Sequence, residues 1–174
     1  MVLNHRGFTL VELMMVAAII GILATVSAFS VLEVLPRYQL HAAARDLSSN
    51  LRLARRKAIK SYRDVRVIFD KDQNAYSLDG RAIPYLGTLE SHYGGGVKFG
   101  FGMATRSAAA SSSSSLPSSP VTFQGKPKKV TFNSRGLSNA GTVYFSNRKG
   151  DCCAVVVSTS GRIRMRTWQG KKWR

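Results

Sequence analysis

The chain has 174 residues and carries 26 Lys and Arg against 9 Asp and Glu, a formal charge of +17. An excess of that size bears on partners rather than on fold: nucleic acid, anionic lipid headgroups and acidic protein surfaces are the classes it favours, with plain solubility the blander use. Its two cysteines, Cys152 and Cys153, are adjacent; neighbouring Cα atoms lie about 3.8 Å apart and strand neighbours face opposite ways, so a disulfide-stapled fold is not indicated.

From Leu13 to Leu32 there is no charged residue, and Glu12 stands at the lip of that run, just after Gly7-Phe8 and the basic Arg6. As a helix the run spans roughly 30 Å, the thickness of a bilayer's hydrocarbon core. These residues together resemble the cleavage and methylation signal of type IV prepilins and of the pseudopilins of type II secretion. The resemblance implies a leader over residues 1–7, a cut between Gly7 and Phe8 by a prepilin peptidase, and N-methylation of Phe8. It also implies a transmembrane and assembly helix over 8–35, in which Glu12 pairs with the methylated amino terminus of a neighbouring subunit. Two other readings of the same residues stand beside it. One is an ordinary signal peptide cut after Val26-Ser27-Ala28, against which an acid in the apolar region argues. The other is a plain single-pass anchor, which tolerates Glu12 only near the interface.

Beyond the apolar run, Leu40, Ala44, Leu47, Leu51, Ala54 and Ala58 recur at spacings of three and four, one stripe of an α-helix. Arg45, Arg52, Arg56, Lys60 and Arg63 fall on the other side. Pro36 lies between the two halves, where a continuous helix would kink.

From Val65 the period changes to two. Val65–Phe69 and Tyr76–Leu78 flank Lys71-Asp72-Gln73-Asn74, which predicts a hairpin. Strands are expected again at 129–132, 142–145, 154–157 and 162–166, with Gly and Asn clusters between them. A helix followed by an antiparallel sheet is an α+β domain, placed over residues 36–174. Its length, about 140 residues, suffices for one small core. Gly94-Gly95-Gly96 reads as a turn. The Ala/Ser-rich segment 107–120 reads as a flexible surface loop that cannot build a core. At least one of the two thiols is expected to be buried as a small hydrophobe.

Chemistry finds little footing. His5, His41 and His92 form no metal-ligand spacing with the cysteines, no glycine loop with a lysine is present, and no nucleophile is paired with a base. The reading is a protein that is not an enzyme and that uses no cofactor and no metal.

The end of the chain differs. If 162–166 is a strand, Arg162, Arg164 and Arg166 share one face, about 6.6–6.8 Å apart, near twice the rise per phosphate along one DNA strand, while Ile163 and Met165 point inward. Trp168 and Trp173 follow among Lys171, Lys172 and Arg174. Cations interleaved with aromatics suit nucleic acid through phosphate contact and base stacking. They also suit a membrane interface, and a Trp at 168 equally suits closing the core.

The prepilin signal, the long helix, the strand Gly141–Phe145, the run Val155–Val157 and the closing Gly161-Arg162-Ile163-Arg164 are similar to the FimT/GspH family. These are minor pilins of type IV pili and minor pseudopilins of type II secretion. The likeness covers both ends and lapses from Ile83 to Pro120. It implies a type IV pilin-like fold, an inner-membrane anchor with a periplasmic domain, and assembly with other pilin or pseudopilin subunits into a pilus or pseudopilus. For FimT-like members it also implies binding of extracellular DNA for uptake through Gly161, Arg162 and Arg164. Secretion members carry Gly-Arg there too; the overall charge, Arg166 and Lys171-Lys172-Trp173-Arg174 favour the DNA-binding side over a structural role in secretion.

Overall fold

The computed structural model describes residues 8–79, 81–83, 88–109 and 115–174, and side chains throughout these except at 26–31 and 81–83. The chain divides into two units, Met1–Leu35 and Pro36–Arg174. The leader residues, Gly7 among them, lie outside the described residues.

Helix α1 covers Leu10–Ser61, with Pro36 inside it at the boundary between the units. In the first unit Thr9 starts the helix: its hydroxyl accepts from the Glu12 amide at 3.2 Å, which satisfies one of the amides a helix start leaves free. Apolar side chains are exposed all round this segment, among them Phe8, Leu10, Leu13, Met14, Ile20 and Leu23. Among the described residues no helix is long and apolar enough to cross a membrane; the described side chains of the apolar run stop at Thr25 and resume at Leu32.

In the second unit the expected stripe is the seam of the core. Leu40, Ala44, Leu47, Leu51, Ala54 and Ala58 are all buried, while Arg45, Arg52, Arg56, Lys60 and Arg63 are exposed. Small residues at three of the six stripe positions let other elements approach the helix backbone closely. The helix ends at Ser61, and Tyr62 turns the chain with φ of 50°.

Among the described residues eight strands follow, in two antiparallel sheets rather than the single sheet the sequence suggests. The first holds β1 (Val65–Asp70), β2 (Ala75–Leu78), β3 (Arg81–Ile83) and β5 (Lys128–Phe132) in the order β3-β2-β1-β5. The second holds β4 (Lys98–Phe99), β6 (Gly141–Ser146), β7 (Cys152–Val157) and β8 (Ile163–Thr167) in the order β4-β6-β7-β8. The β1–β2 hairpin is where the alternation puts it. The Asp70 carboxylate accepts from the amides of Asp72 and Gln73, closing the turn. A short helix α2 (Leu89–Tyr93), capped by Thr88, and the strands β3 and β4 are additions that no periodicity announced.

One large core joins the helix stripe to both sheets through Val65, Val67, Phe69, Val130, Phe132, Val143, Phe145, Val155 and Val157. A second, smaller cluster lies on the other face of the second sheet. There Ala104, Ala108, Tyr144, Cys152, Ala154 and Trp168 pack together, with Phe101, Val156 and Trp173 at its margin. Strands β6 and β7 are thus covered on both faces, which is why their residues are buried almost without alternation. The expectation of a free surface loop over 107–120 is corrected at its ends. Ala108 is fully buried, and the Pro120 carbonyl accepts from the Tyr144 amide at 2.8 Å; residues 110–114 lie outside the described ones.

Candidate functional site

Strand β8 pairs with β7 in the register Val157↔Ile163, Val155↔Met165 and Cys153↔Thr167, and among the described residues no strand lies on its other side. Ile163 and Met165 pack against the large core, as the alternation requires. The arginines of the same strand therefore point to the other face, but they are not equivalent. Arg162 and Arg164 are exposed, whereas Arg166 is half-buried and donates through Nη1 to the Ala108 carbonyl at 3.1 Å. Arg166 thus ties the strand to the 101–109 segment, and its guanidinium is only partly available to a ligand.

The tail folds back on the strand. Thr167 and Arg174 exchange two backbone hydrogen bonds of 2.7 and 3.0 Å, and Gln169 donates to Lys172 at 3.0 Å, with Gly170 at the bend. This loop exposes Lys171, Lys172 and Arg174 and turns both tryptophans inward. Trp168 is 8% exposed and sits in the second cluster, 5.3 Å from the Trp173 ring. Trp173 donates through Nε1 to the Arg106 carbonyl at 2.8 Å and meets Tyr144 edge-on at 5.8 Å. A base cannot stack on Trp168 without displacing this packing, so the expectation that the tryptophans act as stacking platforms is corrected: these rings fasten the 101–109 segment to the sheet.

The turn before β8 is built by close backbone approach. Ser158 accepts from the Gly161 amide at 2.9 Å and donates to the Arg162 carbonyl at 3.0 Å. Gly161 has φ of 70°, and a Cβ there would collide with the Gly136 carbonyl oxygen. That same oxygen accepts from Arg55 Nε at 3.0 Å. Arg55, half-buried on α1, is therefore held between the loops of Gly136 and Gly161. With Arg52, Ser160, Arg162 and Ile163 it lines a cleft between the helix and the turn. Sequence reasoning set the helix arginines apart from the tail; only the approach of the Gly136 and Gly161 loops to α1 brings them together.

Among the described residues no acid pairs with Arg52, Arg55, Arg162, Arg164, Lys171, Lys172 or Arg174. The pairs Arg37–Asp151, Lys57–Asp79 and Arg148–Glu90 lie elsewhere. From Ser91 to Arg174 the sequence holds a single acid, Asp151, against 14 Lys and Arg.

The cysteines divide between the two clusters, Cys153 in the large core and Cys152 in the small one, and both are free thiols. Burial pushes the Cys153 thiol up to about 11 and that of Cys152 higher still. Cys153 Sγ lies 3.8 Å from His41 Nδ1, a contact between helix and sheet. Burial, and then the charge of Arg45, lowers His41 from its ordinary 6.5. No group of three or more His, Cys, Asp or Glu is placed to hold a metal among the described residues. At the other end of the chain Phe8 and Glu12 are both exposed.

Residues 43–161 match the sequence profile of the family described as type II transport protein GspH, and residues 3–28 match that of the prokaryotic N-terminal methylation motif. No curated protein matches the chain in sequence. Among solved structures, the type IV minor pilin FimU of Pseudomonas aeruginosa is similar at 19% identity and a TM-score of 0.44, over 79% of this chain and 94% of that one. The minor pseudopilin EpsH of the Vibrio cholerae type 2 secretion system is similar at 15% identity and a TM-score of 0.46, over 73% and 95%.

Proposed function

Since this chain belongs to the GspH family, we propose that it is a minor pilin built into a type IV pilus, where it binds extracellular DNA for uptake in natural transformation. The observation that carries DNA binding is the set of exposed cations at the outer edge of the second sheet. Arg162, Arg164, Lys171, Lys172 and Arg174 are free of acid partners among the described residues and lie in a half of the chain that holds almost no acids. Such an edge suits phosphates, because their charge dominates protein–DNA affinity and counterion release drives the binding. Contacts of this kind position the duplex without reading its bases, so sequence preference is slight.

The methylation-motif match over 3–28 supports the rest of the reading. A prepilin peptidase cuts between Gly7 and Phe8, the Phe8 amine is methylated, and Glu12 pairs with that amine on a neighbouring subunit. The apolar side chains exposed around the first helical segment need a cover. Before assembly this is the inner membrane, with the second unit in the periplasm; after assembly it is the helices of other pilin subunits.

The test is a titration of the full-length chain, in detergent micelles, with a labelled duplex at several salt concentrations. Five phosphate contacts give a slope of log K against log salt of about −4.5. Replacing Arg162 and Arg164 together by Ala flattens it by about two. Absence of binding by the unaltered chain at low salt would leave the second reading, a structural minor pseudopilin of a type II secretion system without DNA binding. The description of the matched family favours that alternative.

A further inference from the structure

We propose that the cleft between α1 and the turn before β8 is a phosphate seat, which carries the DNA track from the strand edge onto the helix. The inference rests on the DNA-binding reading above and assigns to it two residues, Arg52 and Arg55, that lie about a hundred positions from the tail in sequence.

Three observations carry it. The cleft is lined by Arg52, Arg55 and Arg162 together with Ser160 and the backbone of Gly161, and among the described residues none of the three guanidinium groups has an acid partner. Three like charges facing one opening repel one another, and an anion between them relieves that repulsion. Next, the cleft is held open by backbone. The Gly136 carbonyl fixes Arg55 through Nε at 3.0 Å, which leaves the two Nη groups of that fork without a partner among the described residues. A guanidinium anchored at one nitrogen and free at the other two is preorganised for a phosphate oxygen pair. Finally, the turn packs directly on the neighbouring loop: a methyl group on Gly161 would collide with the Gly136 carbonyl oxygen. Arg56 and Lys60, exposed further along the helix, continue the positive track beyond the cleft.

Three tetrahedral oxyanion sources are conceivable, a DNA phosphate, a lipid headgroup and inorganic phosphate. DNA is favoured because the cleft opens beside Arg162, and Arg164 continues along the strand from it.

The test uses the full-length chain in detergent micelles and a fluorescein-labelled duplex read by anisotropy. Arg52→Gln is the main variant, since Arg52 is exposed and makes no side-chain hydrogen bond or ion pair among the described residues. One lost phosphate contact corresponds to about 0.9 fewer counterions released, so Arg52→Gln weakens binding about eight-fold at 0.1 M salt and flattens the slope by about one. Lys71→Gln, an exposed charge in the β1–β2 turn, serves as control and changes affinity less than two-fold. If Arg52 and Arg162 grip one phosphate, the Arg52→Gln/Arg162→Gln pair loses less than the product of the single losses. Binding by Arg52→Gln equal to that of the unaltered chain, with Arg162→Ala/Arg164→Ala still impaired, overturns the seat and leaves the tail reading intact. Failure of the unaltered chain to bind DNA at low salt overturns both. A loss in Arg52→Gln confined to sedimentation with phosphatidylglycerol vesicles, or to competition by millimolar inorganic phosphate, likewise overturns it in favour of those ligands.

Discussion

Gly161 shows how one residue can serve shape and chemistry together. Its φ of 70° lies where side chains other than glycine are strained, and its α-carbon faces the Gly136 carbonyl. Gly161→Ala is expected to lower stability by about 1–3 kcal/mol in chemical denaturation. It should weaken DNA binding as well, because the turn that presents Arg162 moves. His41 offers a second test at this scale. Its lowered pKa means that the unfolded chain takes up a proton more readily than the native one. The contribution is therefore fully present above 6.5, and stability falls as pH drops through 6.5 toward the lower native value. Denaturation midpoints at pH 7.5 and 5.5 should differ for the native sequence, and that part of the difference should vanish in His41→Gln. The cysteines call for patience rather than mutation: buried thiols with raised pKa values react slowly, so labelling by a thiol reagent should require unfolding.

At the scale of elements, the tail and the 101–109 segment form one layer. Arg166 and Trp173 each hold a carbonyl of that segment, and Trp168 fills the cluster beneath it. Trp168→Ala should cost about 3–5 kcal/mol of stability. Trp168→Phe should cost much less, since the indole Nε1 has no acceptor among the described residues and Phe forfeits no hydrogen bond. Equal losses in the two variants, measured by urea denaturation, would show that the ring's packing is not what matters there.

This layer is also where sequence reading fell short. The helix stripe and the strands β1, β2, β5, β6, β7 and β8 were legible because each has one period and one buried face, or a run of β-branched residues between turns. The two-residue β4 and the short β3 are too brief for any period to emerge. The 101–109 segment has no repeating pattern: Ala104 and Ala108 are buried by contacts with Tyr144 and Trp168, distant in sequence. In the candidate site, the exposed arginines of β8 could be read from alternation. The engagement of Arg166, the burial of Trp168 and the meeting of Arg55 with Gly161 could not, because each depends on which loop lies opposite.

For the whole molecule the charge is unevenly spread. All but one of the nine acids precede Ser91, and the exception, Asp151, is occupied by Arg37 at 3.2 Å. The second sheet and its tail thus present a nearly unopposed positive field, which raises encounter rates with polyanions and is screened by salt. Association rates with duplex DNA should accordingly fall steeply between about 0.05 and 0.2 M salt, while dissociation changes less.

The double cover of β7 has a consequence for the time course of hydrogen exchange. Its amides are paired along β6 and β8, and its side chains are sealed by separate clusters on the two faces. Releasing them requires both clusters to open, so the amides of 153–157 should exchange only through global unfolding. The tail around Gly170, held by a few backbone bonds at the surface, should exchange by local opening within a much shorter time. Mass spectrometry of deuterated peptides would separate the two. If β7 exchanged as early as the tail, the small cluster would be a lid on the sheet and not a second core.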